Sequence, residues 1–532
     1  MLMKESHSVW NAPKRASGRG RAVLLALLVA ASVSLSGCSH LSGVVNRELE
    51  EVIAPSGEGE SDSSQSSSVS QAPVTELKIP FNPLDGLHPY NAKTVVNRYI
   101  CPLLYSPLVQ LSPTFSPEMV LAESVSGQGQ NWTIRLKEGL TFNDGSPVTA
   151  SDLLYSIEQA RQEGSVYARC LSGIDSVQQT DDRTVVVTLL APDNLFANLL
   201  TFPVIRQGSV DAPVSAGRFV RQEDGLLAAS GNSLYAPDTL TSIRLVEIHD
   251  SKLLNYCLKT GEIDYTCLEE AAGKDTTLVG NSVSYAESTN LVFIGINSGS
   301  GPAADPQFRQ ALDLLTDRQS MANVSYGAAA DPVMLPYPTG FLPEDVAPTL
   351  PDSPDLETAG QLLDSLGYDQ RDEEGYRLSG GSRLTLDILV NSENPQRLEM
   401  AQVLSDTLAL VGIASQIRTE DFAAYQQDLA QVDFDLYFGE VKLQGNLDLT
   451  PFFSEENLLH SGIIAADSLR ESYLQLRAGQ LDWSGFVQQF RQTLPFLPVL
   501  FRKETVSFSR NSSQALTPTG QDIFYGLNPV NR

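Results

Sequence analysis

The stretch from Trp132 to Arg161, WTIRLKEGLTFNDGSPVTASDLLYSIEQAR, constrains the fold more than any other part of the chain. Trp132, Ile134 and Leu136 alternate with Thr133, Arg135 and Lys137, the period of a strand with one buried face. Glu138-Gly139 turns the chain. Asn143-Asp144-Gly145-Ser146-Pro147 turns it again, with residues that tolerate positive φ or hold it near about −65°. Thr149 then stands as an N-cap, and Asp152 supplies the acidic arm of a capping box. Leu153, Leu154, Ile157 and Ala160 fall on one face of the helix that follows. Two strands, two turns and a helix in so short a span belong to a mixed α/β domain. The expectation for this segment is that it builds the fold and does not touch a ligand.

The order of residues in this segment resembles the solute-binding proteins of peptide and nickel ABC importers, family 5. Their pattern "tF.LR.gv.F.DG.p.tA.Dv.yS" stands here as Thr133, Ile134, Arg135, Leu136, Gly139, Leu140, Phe142, Asp144, Gly145, Pro147, Thr149, Ala150, Asp152, Leu153, Tyr155 and Ser156. The resemblance covers nearly all of Leu77 to Arg532 and weakens after this motif. Asp85-Gly86-Leu87-His88-Pro89, Leu104 to Val109, Leu121 to Ser124, Leu258 to Asp264 and Phe308 to Leu312 carry further pieces of it. It implies an α/β, two-lobed, periplasmic-binding-protein-like fold (type II, cluster C) with an interlobe cleft and a two-strand hinge. The implied first lobe is residues 76–292 with 500–532, and the second is 293–499.

The N-terminus fits an exported protein. Lys4, Lys14, Arg15, Arg19 and Arg21 form a basic region opposed by Glu5 alone, and Ala22 to Val33 is an apolar run. That run is shorter than the roughly 20 residues a permanent membrane span needs. Leu35-Ser36-Gly37-Cys38 follows and resembles a bacterial lipobox, with small residues ahead of a cysteine whose sulfur takes the lipid. Residues 1–37 are therefore expected as a lipoprotein signal peptide and Cys38 as the lipidated residue, on the outer face of the cytoplasmic membrane. Residues 38–75, with SDSSQSSSVS at Ser61 to Ser70, read as a disordered tether, being too polar to offset the entropy of ordering.

The formal charge of the whole chain is −28. Its first 37 residues are net basic, so the remainder is more acidic still, which argues against nucleic-acid partners and anionic lipid surfaces. The hydrophobic content of 42% is ample for more than one core. Besides Cys38 the chain has Cys101, Cys170, Cys257 and Cys267, which allow three disulfide pairings or four free thiols.

Further along, Leu291 to Asn297 reads as a buried strand, and Asp305-Pro306 as an N-cap followed by proline in the first turn. Ser353-Pro354 is expected to open a helix that ends at Gly367. Leu384, Leu386, Ile388 and Val390 alternate as a strand, and Ala401 to Leu410 reads as a helix.

Ligands of α/β lobes meet the loops at strand ends. The resemblance singles out two. In the loop Val390 to Pro395, dipeptide-binding relatives place a carboxylate-holding arginine at a position that falls on Asn391 or its neighbour Ser392. In the segment Phe434 to Gln444, the tryptophan and aspartate that grip a peptide amine fall on Val441 and Gln444. Both sets are changed here. Glu440 and Lys442, two apart in an otherwise apolar run, point to one face if that run is extended, so they either pair with each other or contact a polar solute. Tyr99, Tyr105 and Tyr437 are candidates to stack on a solute or to pack in a core.

The chain shows no G-x-S-x-G, S-x-x-K or P-loop signature, and His40, His88, His249 and His460 are not spaced as metal ligands. The expectation is a monomeric, non-enzymatic solute receptor without cofactor. It would capture short peptides for an ABC permease and sit at the membrane through Cys38. An oligosaccharide or a metal chelate on the same fold is the alternative cargo, and a structural or sensor lipoprotein the alternative class.

Overall fold

The computed structural model describes residues 75–237, 239–268, 282–464, 466–509, 516–527 and 529–531. The expected leader, Cys38 and most of the tether lie outside these residues. Ala72 to Arg532 form one compact unit, and no described helix is long and apolar enough to cross a membrane.

The chain opens with β1 (Glu76–Phe81) and α1 (Val95–Leu104), followed by the hairpin β2 (Val109–Leu111) and β3 (Pro117–Met119). Next come β4 (Ala122–Gln128), β5 (Asn131–Leu136), α2 (Ala150–Ala160), β6 (Ile174–Gln179) and β7 (Thr184–Leu189). These four strands form an antiparallel sheet in the order β4-β5-β7-β6. Trp132, Ile134 and Leu136 of β5 are buried, as their alternation requires. The capping box at α2 is present, with Thr149 N donating to Asp152 Oδ2 at 2.8 Å. Leu153, Ile157 and Ala160 are buried, while Leu154 is half-buried at the margin of that face.

A second small sheet follows, from β8 (Phe219–Arg221), β9 (Leu226–Ala229) and β10 (Ser242–Glu247), with β1 joined in parallel to β10. Helix α3 (Leu254–Thr260) is stopped by Gly261 at φ 75°, a left-handed cap that favours glycine, and leads to β11 (Tyr265–Leu268). The core under this sheet draws on both ends of the chain. Leu77, Ile79 and Phe81 pack with Val506, Phe508, Ile523, Phe524 and Leu527.

The remaining elements build a larger core. They are β12 (Ser282–Ile296), α4 (Pro306–Leu315), α5 (Arg318–Ser325), β13 (Ala330–Pro332), α6 (Leu356–Ser365), the short hairpin β14 (Leu378–Ser379) and β15 (Ser382–Arg383), β16 (Thr385–Asn391), α7 (Pro395–Leu410), β17 (Ala414–Glu420), α8 (Phe422–Gln431), β18 (Leu436–Lys442), α9 (Asp467–Arg477), α10 (Trp483–Thr493) and β19 (Phe496–Phe508). The sheet runs β11-β19-β12-β18-β16-β17, with β13 also on β19. Asp305 caps α4 with Pro306 in its first turn, as read from the sequence. Two starts differ. Helix α6 begins after Asp355, whose carboxylate accepts from Thr358 N at 3.0 Å, because Pro354 holds Ser353 out of the helical region. Helix α7 begins at Pro395, ahead of Ala401, because Asn394 caps it and proline is tolerated in the first turn.

Strands β12 and β19 pair antiparallel from Ser282 opposite Phe508 to Gly295 opposite Phe496, with a register break between Ala286 and Asn290. Ala286, Val506 and Phe508 belong to the smaller core, and Leu291 to Ile294 with Phe496 to Phe501 belong to the larger one. Two paired strands therefore join two α/β bodies. Cys101, Cys257 and Cys267 are buried, Cys170 is half-buried, and all four are free thiols.

Candidate functional site

A cavity of about 630 Å³ opens between the two bodies. Nearly all of its wall comes from the first body and the C-terminal segment: α1, the β2–β3 hairpin, Lys137, residues 166–170 and 198–203, and residues 519–531. Lys442 and Gly445, just past β18, are what the second body contributes.

Charges in the wall fall into two kinds. Some are neutralised within the protein. Arg218 pairs with Asp522 at 2.7 Å and donates to the carbonyls of Phe524 and Leu527 at 3.1 and 2.9 Å. Lys442 lies 3.7 Å from Glu504, which also accepts a short hydrogen bond from the Tyr99 hydroxyl. Others meet only neutral groups. Glu118 on β3 accepts from Tyr525 Oη and from Gln110 Nε2, each at 2.9 Å. Lys137, one residue past β5, donates to the main-chain oxygen of Met119 at 3.4 Å. Burial lowers its pKa. Tyr105 is half-buried in the wall, and burial pushes its phenol up.

At one edge the bodies are clasped. Asp193 accepts from Arg477 Nη2 at 2.6 Å and from Asn446 Nδ2 at 2.7 Å. Arg477 Nη1 also donates to Asn446 O at 2.9 Å, and Asn194 N donates to Arg477 O at 2.9 Å. Asp193 and Arg477 are both buried, so the pair is shielded from water. Burial raises the Asp193 pKa against the opposing pull of Arg477. Asn198 adds a bond to Gly445 O at 3.2 Å.

The residues expected at the site divide accordingly. Tyr105 and Lys442 line the cavity. Asn391, Ser392, Tyr437, Glu440 and Gln444 do not. Asn391 ends β16 buried, and its side chain accepts from Glu393 N to shape the turn. Ser392 is exposed and bonds through its N–H to Glu420 O. Gln444 lies half-buried in the turn, its carbonyl accepting from Leu447 N. Tyr437 is a core residue at 2% exposure, packed edge-on against Phe293 and Phe434. Gly295 makes room for it, since a Cβ there would meet the Tyr437 ring at 1.9 Å. Glu440 and Lys442 do not pair with each other. Glu440 is held by Arg397 at 2.8 Å and Arg502 at 3.2 Å, and Lys442 by Glu504. Sequence reasoning missed Lys137 and Glu118. Lys137 continues the polar side of the β5 alternation, which reads as facing solvent; Arg135 on that side is exposed, and of Thr133, Arg135 and Lys137 the last alone reaches the cavity wall.

Two α/β bodies joined by paired strands around a cavity that carries a few charged side chains define a bivalve solute-binding protein. The family model "Bacterial extracellular solute-binding proteins, family 5 Middle" matches residues 114–455, and the chain belongs to this family of ABC-importer binding proteins. The Glutathione-binding protein GsiB of Escherichia coli strain K12 is 25% identical over 409 residues, covering 70% of this chain and 76% of that protein. The structure of a nickel ABC transporter protein from Bacillus halodurans superposes with TM-score 0.72 at 19% identity, covering 85% of this chain and 99% of that one. The unliganded open form of MppA, a periplasmic murein tripeptide binding protein, superposes with TM-score 0.68 at 19% identity, covering 83% and 94%. These place the fold among type II periplasmic binding proteins.

Proposed function

We propose that this chain captures short peptides in the cavity between its two bodies and delivers them to an ABC permease as a monomer anchored by a lipid on Cys38. The carrying observation is the cavity wall itself. It holds one carboxylate, Glu118, and one ammonium, Lys137, that the protein leaves without opposite charges, the complement of a small zwitterion. A cavity of about 630 Å³ suits a solute of a few residues. The relatives' names, a glutathione-binding and a murein tripeptide binding protein, support a peptide-like cargo. The bodies and their two joining strands provide the closing motion, with residues 76–292 and 500–532 moving against 293–499.

A thermal-shift screen tests this, using di- to pentapeptides, glutathione, oligosaccharides and nickel chelates. A binder at a hundredfold excess over Kd adds roughly 2.7 kcal/mol of stability. Stabilisation by peptides supports the reading. Stabilisation by another class alone keeps the receptor and replaces the cargo.

A further inference from the structure

The cavity is lined almost wholly by the first body, with Lys442 and Gly445 as the second body's share. A solute shifts a conformational equilibrium only by its differential affinity for the two states. One seated here meets the second body at few points, so it gains little from the closed form that an open form would not also give. The bonds that hold the second body in place run between the bodies themselves. Asp193 Oδ1 accepts from Arg477 Nη2 at 2.6 Å and Asp193 Oδ2 from Asn446 Nδ2 at 2.7 Å. Asn194 N donates to Arg477 O at 2.9 Å, and Asn198 Nδ2 to Gly445 O at 3.2 Å.

Gly445 is matched to this contact. It lies outside the left-handed backbone region, so its turn does not call for glycine. A Cβ there would stand 2.8 Å from the Asn198 carbonyl oxygen, 3.3 Å from Gln521 Nε2 and 3.5 Å from a Leu111 methyl, all on the first body. The missing side chain therefore serves the approach of the other body, and only the closed form needs it. We infer that this seam is a latch that the protein closes by itself, with no solute in the cavity, and that Gly445 is the position that lets it close. The latch is independent of which solute the cavity takes. In a receptor closed in advance, no part of the binding free energy goes into bringing the bodies together.

The Asn194 amide reports the latch, because its hydrogen bond crosses from one body to the other. Hydrogen exchange is read residue by residue on the full chain, denatured and refolded first to remove any carried-over solute. The Asn194 amide should exchange about tenfold or more slowly than an unprotected amide, as expected of a protein at least about 90% closed. In Gly445→Val that protection should fall at least about fivefold, while the amides of β5 and α2 stay protected and show the first body folded. Asp193→Asn, which acts on a different contact, should do the same, so a folding defect in one variant leaves the other to decide. A wild-type Asn194 amide that exchanges as freely as an unprotected one overturns the inference, since the resting receptor is then open. Protection that survives both substitutions overturns it as well, since closure would not depend on the seam.

Discussion

On the wall formed by β3 and the residue after β5, Glu118 and Lys137 meet only neutral groups, while on β18, away from the cavity wall, Glu440 is locked between Arg397 and Arg502. Both regions carry half-buried or buried charge, and burial is costly in either place. The second region offsets that cost with internal ion pairs, which makes its charges part of the scaffold. The first region has only neutral hydrogen-bond partners to offset it. A charge held in an internal ion pair belongs to the scaffold; one that meets only neutral groups is the candidate for a solute under the proposed function.

The largest effect expected is at the clasp between the regions. Arg477→Met leaves Asp193 buried without its cation and should cost about 3–5 kcal/mol of stability. Thermal unfolding reads this, and solution scattering of the ligand-free protein should show a more open particle. An unchanged melting temperature would mean that the clasp is not closed in solution.

Next comes the locked glutamate. Glu440→Gln should cost about 2–3 kcal/mol, because Arg397 and Arg502 lose their shared counter-charge. Affinity for solute should stay within about twofold of wild type, where loss of a charge-assisted bond would read as about tenfold. A stability-neutral variant with weakened binding would reverse the comparison and return Glu440 to the site.

The capping box sets a local scale. Asp152→Ala removes acceptors from Thr149 N and Gln207 N and should cost about 1 kcal/mol, with no change in binding. Chemical denaturation measures it.

The smallest effect concerns pH. Burial lowers the Lys137 pKa from 10.5, so between the lowered value and 10.5 the unfolded chain holds the proton more tightly than the folded one. Stability of the ligand-free protein should therefore rise with pH through that window. The contribution is well under about 1 kcal/mol once solvent screening is allowed for. Melting curves across alkaline pH should lose this component in Lys137→Met. Persistence of the component would assign it to another group.

Local elements were legible wherever a short-range rule decides them. The β5 alternation, the Thr149–Asp152 box, the Asp305-Pro306 start and the Gly261 stop each depend on neighbours in sequence. The family and its fold were legible for a related reason, since a long ordered motif leaves few alternatives. The cavity lining was less so. The family resemblance pointed to Asn391 and Gln444, which lie outside the cavity wall. For Tyr437 and Glu440 the sequence left core packing or internal pairing open beside solute contact, because alternation gives the side of a strand without saying whether core, solvent or cavity lies there; the structure has Tyr437 in the core and Glu440 in ion pairs with Arg397 and Arg502. Glu118 and Lys137 come to line one cavity only when β3 and the end of β5 meet in three dimensions.

The smaller core has a consequence for how the chain is made. Its first strand holds Leu77, Ile79 and Phe81, and its completion needs Val506, Phe508, Ile523, Phe524 and Leu527. During synthesis the N-terminal strand emerges long before these partners exist, so the core cannot close until the ribosome has nearly finished. A chain built this way stays incompletely folded through most of its translation, the state in which a polypeptide can still be threaded through a translocation channel.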